Sequence, residues 1–112
     1  MIYHILRRSD WDAARQAGMY EPESLRSEGF IHCSTAGQTP GTVTRYFGGE
    51  ADLILLGIDE LRLAAPLRWE HPSNDRAGEL FPHIYGALNL DAVVEVGPIP
   101  ASAPPASQST SE

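Results

Sequence analysis

Four histidines stand out in a chain that has a single cysteine: His4 in "IYHIL", His32 in "GFIHCS", His71 in "LRWEHP" and His83 in "LFPHIYG". Each sits in or beside a short run rich in β-branched and aromatic residues. Ser34 follows His32 at a spacing of two, Glu70 precedes His71, and Glu79 and Tyr85 flank His83. Imidazole beside carboxylate or hydroxyl is equipment for moving a proton, orienting a ribose hydroxyl or holding a metal. In an extended strand successive side chains point to opposite faces, so Phe30, His32 and Ser34 share one face while Ile31 and Cys33 share the other. That separation argues against a Cys33–His32 dyad and against a metal centre built on the pair, and no metal is expected. Cys33 reads as a small buried apolar residue beside Ile31. A serine hydrolase is disfavoured because no G-x-S-x-G turn is present. "AGQTPG" likewise has neither the lysine nor the glycine spacing of a phosphate-binding loop.

These residues need strands to carry them. Residues 1–6 read as a strand in which Ile2, His4 and Leu6 share a face, a setting that also suits a structural histidine. "SDWDAARQAG" reads as a short helix over about residues 10–17, with Ser9 and Asp12 at capping-box spacing and Gly18 as the stop. Trp11, Ala14 and Ala17 fall on one side of it, toward a core. Residues 19–29 read as a loop, because Pro22 and Gly29 punctuate them and no period is visible. "FIHCS" is the second strand. A second short helix follows in "TVTRYF", with Pro40 in its first turn and Gly48–Gly49 ending it. "DLILLGID" is an unbroken apolar run, expected of a central strand covered on both faces. "PLRWEHP" gives another strand, "SNDRAG" a loop, "LFPHIYG" an extended segment, and residues 92–96 a last strand. In the extended segment Ile84 anchors to the core while His83 and Tyr85 point the other way.

About five strands with two short helices in the N-terminal half, and no crossover helices between the late strands, predict an α+β domain. It spans residues 1–100. Residues 101–112, "ASAPPASQSTSE", are too poor in apolar side chains to offset the entropy of ordering and read as a flexible tail.

The chain of 112 residues suits one domain. Its net charge of −7, from 15 acidic and 8 basic residues, works against binding a long nucleic acid, while a local pocket could still take a small anionic ligand. One cysteine permits no internal disulfide, and no apolar run approaches the ~20 residues of a membrane span. With no signal sequence legible either, a cytoplasmic protein is expected.

Taken together, "IYHIL", "DWDAARQAG", "EGFIHCS", "DLILLGID", "LRWE" and "ELFPHIYGALNLDAVV" closely resemble the small bacterial family catalogued as domain of unknown function 952, over residues 1 to about 100. The family is regarded as a compact relative of the ADP-ribosyltransferase fold. The resemblance therefore implies two small sheets meeting around a cleft for a nicotinamide dinucleotide, with NAD as the cofactor. The nearest functional analogy is with RNA 2′-phosphotransferases, whose cleft strands read roughly L-Y-H-G-T and R-x-H-V-H-L-S. His4 matches the histidine of the first motif, and His32 with Ser34 the end of the second, so these residues are expected to hydrogen-bond ribose and amide groups. Glu28 stands where the second motif has arginine, and Ile5-Leu6 where the first has Gly-Thr, so transfer to RNA is not carried over. Glu79 and His83 fall to the catalytic end, Glu79 to stabilise the oxocarbenium-like carbon formed as nicotinamide leaves, and Tyr85 joins the ligand-facing set. The expected function is binding of NAD or a related nucleotide, with ADP-ribosyl transfer as its activity. The alternatives are a non-catalytic sensor of a small nucleotide or sugar phosphate, and a metal-binding or hydrolytic protein built on the histidines.

Overall fold

The most apolar run of the chain forms the middle strand of its main sheet. In the computed structural model, which describes residues 1–72 and 78–99, β4 (Leu53–Ile58) lies between β1 (Ile2–Arg7) and β8 (Val93–Pro98), antiparallel to both. Ile54, Leu56 and Ile58 pair with Leu6, His4 and Ile2. The five aliphatic side chains of this face are at most 3% exposed. Leu53 and Leu55, on the opposite face, are half-buried. Apart from Gly57, full burial is therefore confined to one face of β4, not both. At Gly57 an added Cβ would lie 2.9 Å from Glu95 Cβ, so the close passage of β8 requires glycine there.

The second sheet has β6 (Phe81–Ile84) between β3 (Ile31–His32) and β5 (Leu67–Glu70), again antiparallel. Its register aligns Ile31, Ile84 and Leu67 in one row and His32, His83 and Arg68 in the next. Because rows alternate between faces, the first row enters the core and the second turns away from it. Just past β3, Tyr3 and Ser34 exchange two backbone hydrogen bonds of 2.8 Å, which ties β1 of the first sheet to the second. A two-stranded ribbon of β2 (Met19–Tyr20) and β7 (Leu88–Asn89) completes the strands.

Helix α1 (Arg8–Ala17) buries Trp11 and Ala14 and stops at Gly18, whose N–H still reaches the Ala14 carbonyl and whose left-handed φ of 83° turns the chain out of the helix. Ser9 is not its cap: the cap residue is Arg7, which makes no side-chain capping bond because the helix follows directly from β1. Helix α3 (Thr39–Phe47) starts with Pro40 in its first turn and ends before Gly48. The 19–29 stretch expected to be a loop contains β2 and a single helical turn, α2 (Ser24–Ser27). Among the described residues there are thus eight strands in three sheets and three α-helices, where about five strands, two sheets and two helices were expected. Two-residue strands and a four-residue helix are too short to show a period. The last strand also starts at Val93, because Ala92 belongs to a 3-10 turn. The α+β class stands. The "SNDRAG" loop, apart from Gly78, and the tail at 101–112 lie outside the described residues, in which no helix is long and apolar enough to cross a membrane.

Candidate functional site

A cleft of about 760 Å³ opens along the seam where the Tyr3–Ser34 bridge joins the two sheets, and α3 supplies a further wall. His4, His32 and His83 all border it; His71 and Tyr85 do not. A second hollow of about 530 Å³, on the outer side of β4 and β8, offers only Tyr3 and Glu95 as ionisable groups. The chemistry is concentrated in the seam.

His4 projects from β1 on the core-facing side, opposite Leu56. Its Nδ1 donates to the His32 carbonyl at 2.6 Å, and its Nε2 accepts from the Tyr20 hydroxyl at 2.8 Å. A carbonyl can only accept, so the proton is on Nδ1 and the neutral ring is fully satisfied. Burial pushes its pKa from 6.5 down to about 4, and burial likewise raises that of the Tyr20 phenol. His4 therefore reaches the cleft wall without a nitrogen to offer a ligand.

His32 is exposed, and its Nε2 lies 2.9 Å from Glu28 Oε2. Its ring meets Phe30 at 4.8 Å and the edge of His83 at 5.6 Å between centroids. His83 is buried and stacks on Phe30 at 4.1 Å and 21°. Its Nδ1 donates to Glu70 Oε1 at 2.8 Å, and Tyr85 donates its hydroxyl to the same oxygen at 2.6 Å. These two bonds, Tyr85's first, hold the Glu70 carboxyl below the usual range, while donating its hydroxyl to that carboxylate raises the Tyr85 phenol. The Arg68 guanidinium lies 4.9 Å from the Tyr85 ring centroid and completes this side. Among the described residues nothing hydrogen-bonds His83 Nε2.

Ser34 is buried and donates to Thr42 Oγ1 at 3.0 Å, since the Thr42 hydroxyl is itself spent on the Gln38 carbonyl. It fastens the seam to α3. Glu79 is exposed at the rim, where its Oε1 accepts from Gln38 Nε2 at 3.0 Å; the same amide also donates to the Leu80 carbonyl at 2.8 Å. The carboxylate that His83 touches is Glu70, not Glu79. Of the six expected site residues, His4, His32, Ser34, Glu79 and His83 thus border one cleft, and Tyr85 stands behind it on Glu70.

Four residues at or beside the cleft lie outside the expected site set: Phe30, which stacks on His83, Glu70, which accepts from His83, and Gln38 and Arg45 on the α3 side. A signal for Glu70 exists, since alternation places Arg68 and Glu70 on one face of β5; its pairing with His83 depends on the β5–β6 register. Cys33 is buried in the core, and burial pushes its thiol well above the ordinary range. Among the described residues no group of three or more His, Cys, Asp or Glu side chains is arranged to hold a metal ion.

Residues 5–96 match the model of a family described as protein of unknown function, DUF952. The chain belongs to this family. The DUF952 domain is similar to the crystal structure of CC0527 from Caulobacter crescentus, with 36% identity, a TM-score of 0.75, and coverage of 86% of this chain and 82% of that one. It is similar to the solution structure of the same protein at 37% identity and a TM-score of 0.72, covering 86% and 81% of the two chains. No protein with a curated description matches the DUF952 chain.

Proposed function

We propose that this DUF952 domain binds NAD or a related small nucleotide in the seam cleft. The observation that carries the reading is the wall of three rings, Phe30, His32 and His83, with centroids 4.1 to 5.6 Å apart, bordering a cleft that Gln38, Thr42 and Arg45 also line. A flat heteroaromatic base gains roughly 1–3 kcal/mol from such a stacking surface. Arg45 makes no ion pair among the described residues, so a positive charge is available to a phosphate in a chain of net charge −7. The kinship with ADP-ribosyltransferases that the motifs "IYHIL" and "GFIHCS" imply agrees with this choice of ligand.

The activity that accords with that kinship is ADP-ribosyl transfer. The bond between ribose C1′ and the nicotinamide nitrogen breaks, its electron pair leaves with nicotinamide, and a nucleophilic acceptor bonds to C1′ and releases its proton to solvent. Glu79 at the rim is the carboxylate for the positive charge developing at C1′. Its existing bond to Gln38 favours a second reading, in which the cleft senses the nucleotide without turnover. A reducing cytoplasm is the setting proposed for either role.

Calorimetric titration with NAD and with ADP-ribose, alongside an assay for released nicotinamide, tests both. Turnover that disappears in Glu79→Gln supports the transferase. Saturable binding without nicotinamide release supports the sensor, and binding of neither ligand contradicts the proposal.

A further inference from the structure

Glu70 lies on the far side of His83 from the cleft and does not border it, yet it is the one charged group that His83 touches among the described residues. Its Oε1 takes two donors, His83 Nδ1–H at 2.8 Å and Tyr85 O–H at 2.6 Å. An ionised carboxylate is acceptor-only, so this arrangement requires the His83 proton on Nδ1 and leaves Nε2 with its lone pair. The His83 side chain is 4% exposed, and one ring face is closed by Phe30. A buried nitrogen lone pair without a partner is costly to leave unsatisfied. Here it belongs to a ring that borders the cleft.

Deepening the nucleotide reading, we infer that Glu70 is a positioning residue that fixes the tautomer of His83, and that His83 Nε2 recognises a hydrogen-bond donor, an N–H or O–H, on the ligand. The class fits the proposed ligand, whose carboxamide and ribose hydroxyls are donors. A carboxylate or phosphate oxygen, which offers only lone pairs, is rejected at this point of the cleft. Tyr85 and Arg68 serve at one remove: the Tyr85 hydroxyl holds the shared oxygen, and the Arg68 cation packs on the Tyr85 ring. The β5–β6 register makes this possible, since Arg68 pairs with His83 and Glu70 with Phe81, bringing a carboxylate from one strand to an imidazole on the next.

The test is a two-bond proton–nitrogen correlation spectrum of the whole chain labelled in its histidines, which reports for each ring which nitrogen holds the proton. In the neutral ring of wild-type His83 the proton should be on Nδ1, toward Glu70. In Glu70→Gln, which keeps the shape but can also present an amide N–H, the two tautomers should mix, and Glu70→Asp should restore part of the preference. Addition of NAD should move the Nε2 resonance of His83, and Glu70→Gln should weaken NAD binding by about tenfold or more. A wild-type His83 protonated on Nε2, or a Glu70→Gln spectrum identical to wild type, overturns the role given to Glu70. NAD binding that leaves the Nε2 resonance unmoved overturns donor recognition. The tautomer is read without any ligand, so a correct tautomer with no NAD binding refutes the nucleotide reading alone.

Discussion

His4 and His83 border the same cleft, and each gives its Nδ1 proton to a hydrogen bond, yet the two ends of the seam are built differently. At the β1 end the acceptor is a backbone carbonyl and the second nitrogen is filled by Tyr20, so the imidazole works as a neutral brace between β1, β2 and β3. At the β6 end the acceptor is a carboxylate and the second nitrogen has no partner among the described residues. The lesson is that residue type and proximity to a cleft do not separate a structural histidine from a ligand-binding one. What differs between the two rings is the count of satisfied nitrogens, and on that count His83 is the one proposed to meet a ligand.

The largest effect expected of this contrast comes from His4→Ala. It strands the Tyr20 hydroxyl and the His32 carbonyl and opens a hole beside Leu56, for a loss of roughly 3 kcal/mol by chemical denaturation. At about 4–8 °C per kcal/mol for a domain of this size, the melting temperature should drop by more than ten degrees. A variant that melts like wild type breaks the contrast at the His4 end.

The pH dependence of stability is next. The folded pKa of His4 is about 4 against 6.5 unfolded, so the unfolded chain takes up the proton first as the pH falls. The contribution of the neutral brace is complete above about 6.5 and is lost progressively toward 4, amounting to roughly 2 kcal/mol once residual solvent contact of the ring is discounted. Glu70 acts in a lower window. Its folded pKa is depressed, so its contribution is complete above the unfolded carboxylate value and is lost as the pH falls below it. Unfolding curves of wild type and His4→Gln between pH 7 and 4 check this; the slope between 6.5 and 4 should flatten in the variant, and an unchanged slope counts against the brace.

Tyr20→Phe removes one donor and should cost about 1 kcal/mol, leaving nucleotide binding intact because Tyr20 does not line the cleft. The smallest signal is at Cys33, where labelling by a thiol reagent should proceed only as fast as the native state opens. Rapid labelling of the folded chain contradicts the assignment of strand faces.

Those faces are legible in the sequence itself. Alternation alone puts Cys33 with Ile31 on the buried side and His32 on the open one, because a period of two needs no tertiary information. Ser34, on the His32 side by alternation, is buried all the same because α3 covers it there, with its hydroxyl on Thr42. The apolar run of β4 and the Gly18 stop of α1 are equally plain, each set by local chemistry. The β2–β7 ribbon is invisible there, since two-residue strands owe their existence to a partner nearly seventy positions away. The tie between Glu70 and His83 is hidden for a related reason: it is made by the register of β5 against β6, which side-chain types alone do not determine. In the same way, the engagement of both His4 nitrogens follows from where Tyr20 and the His32 carbonyl arrive in space.

The His83 end of the seam is the part of the cleft proposed to hold a nucleotide. Calorimetric titration of NAD into wild type and into His83→Phe, with melting temperatures measured on the same samples, tests it most directly, because phenylalanine keeps a ring against Phe30 and removes both imidazole nitrogens. Saturable binding to wild type is expected, with binding weaker by about tenfold or more in the variant and melting temperatures within roughly 5 °C of each other. Equal affinity in the two proteins, or no saturable binding to wild type, would contradict it.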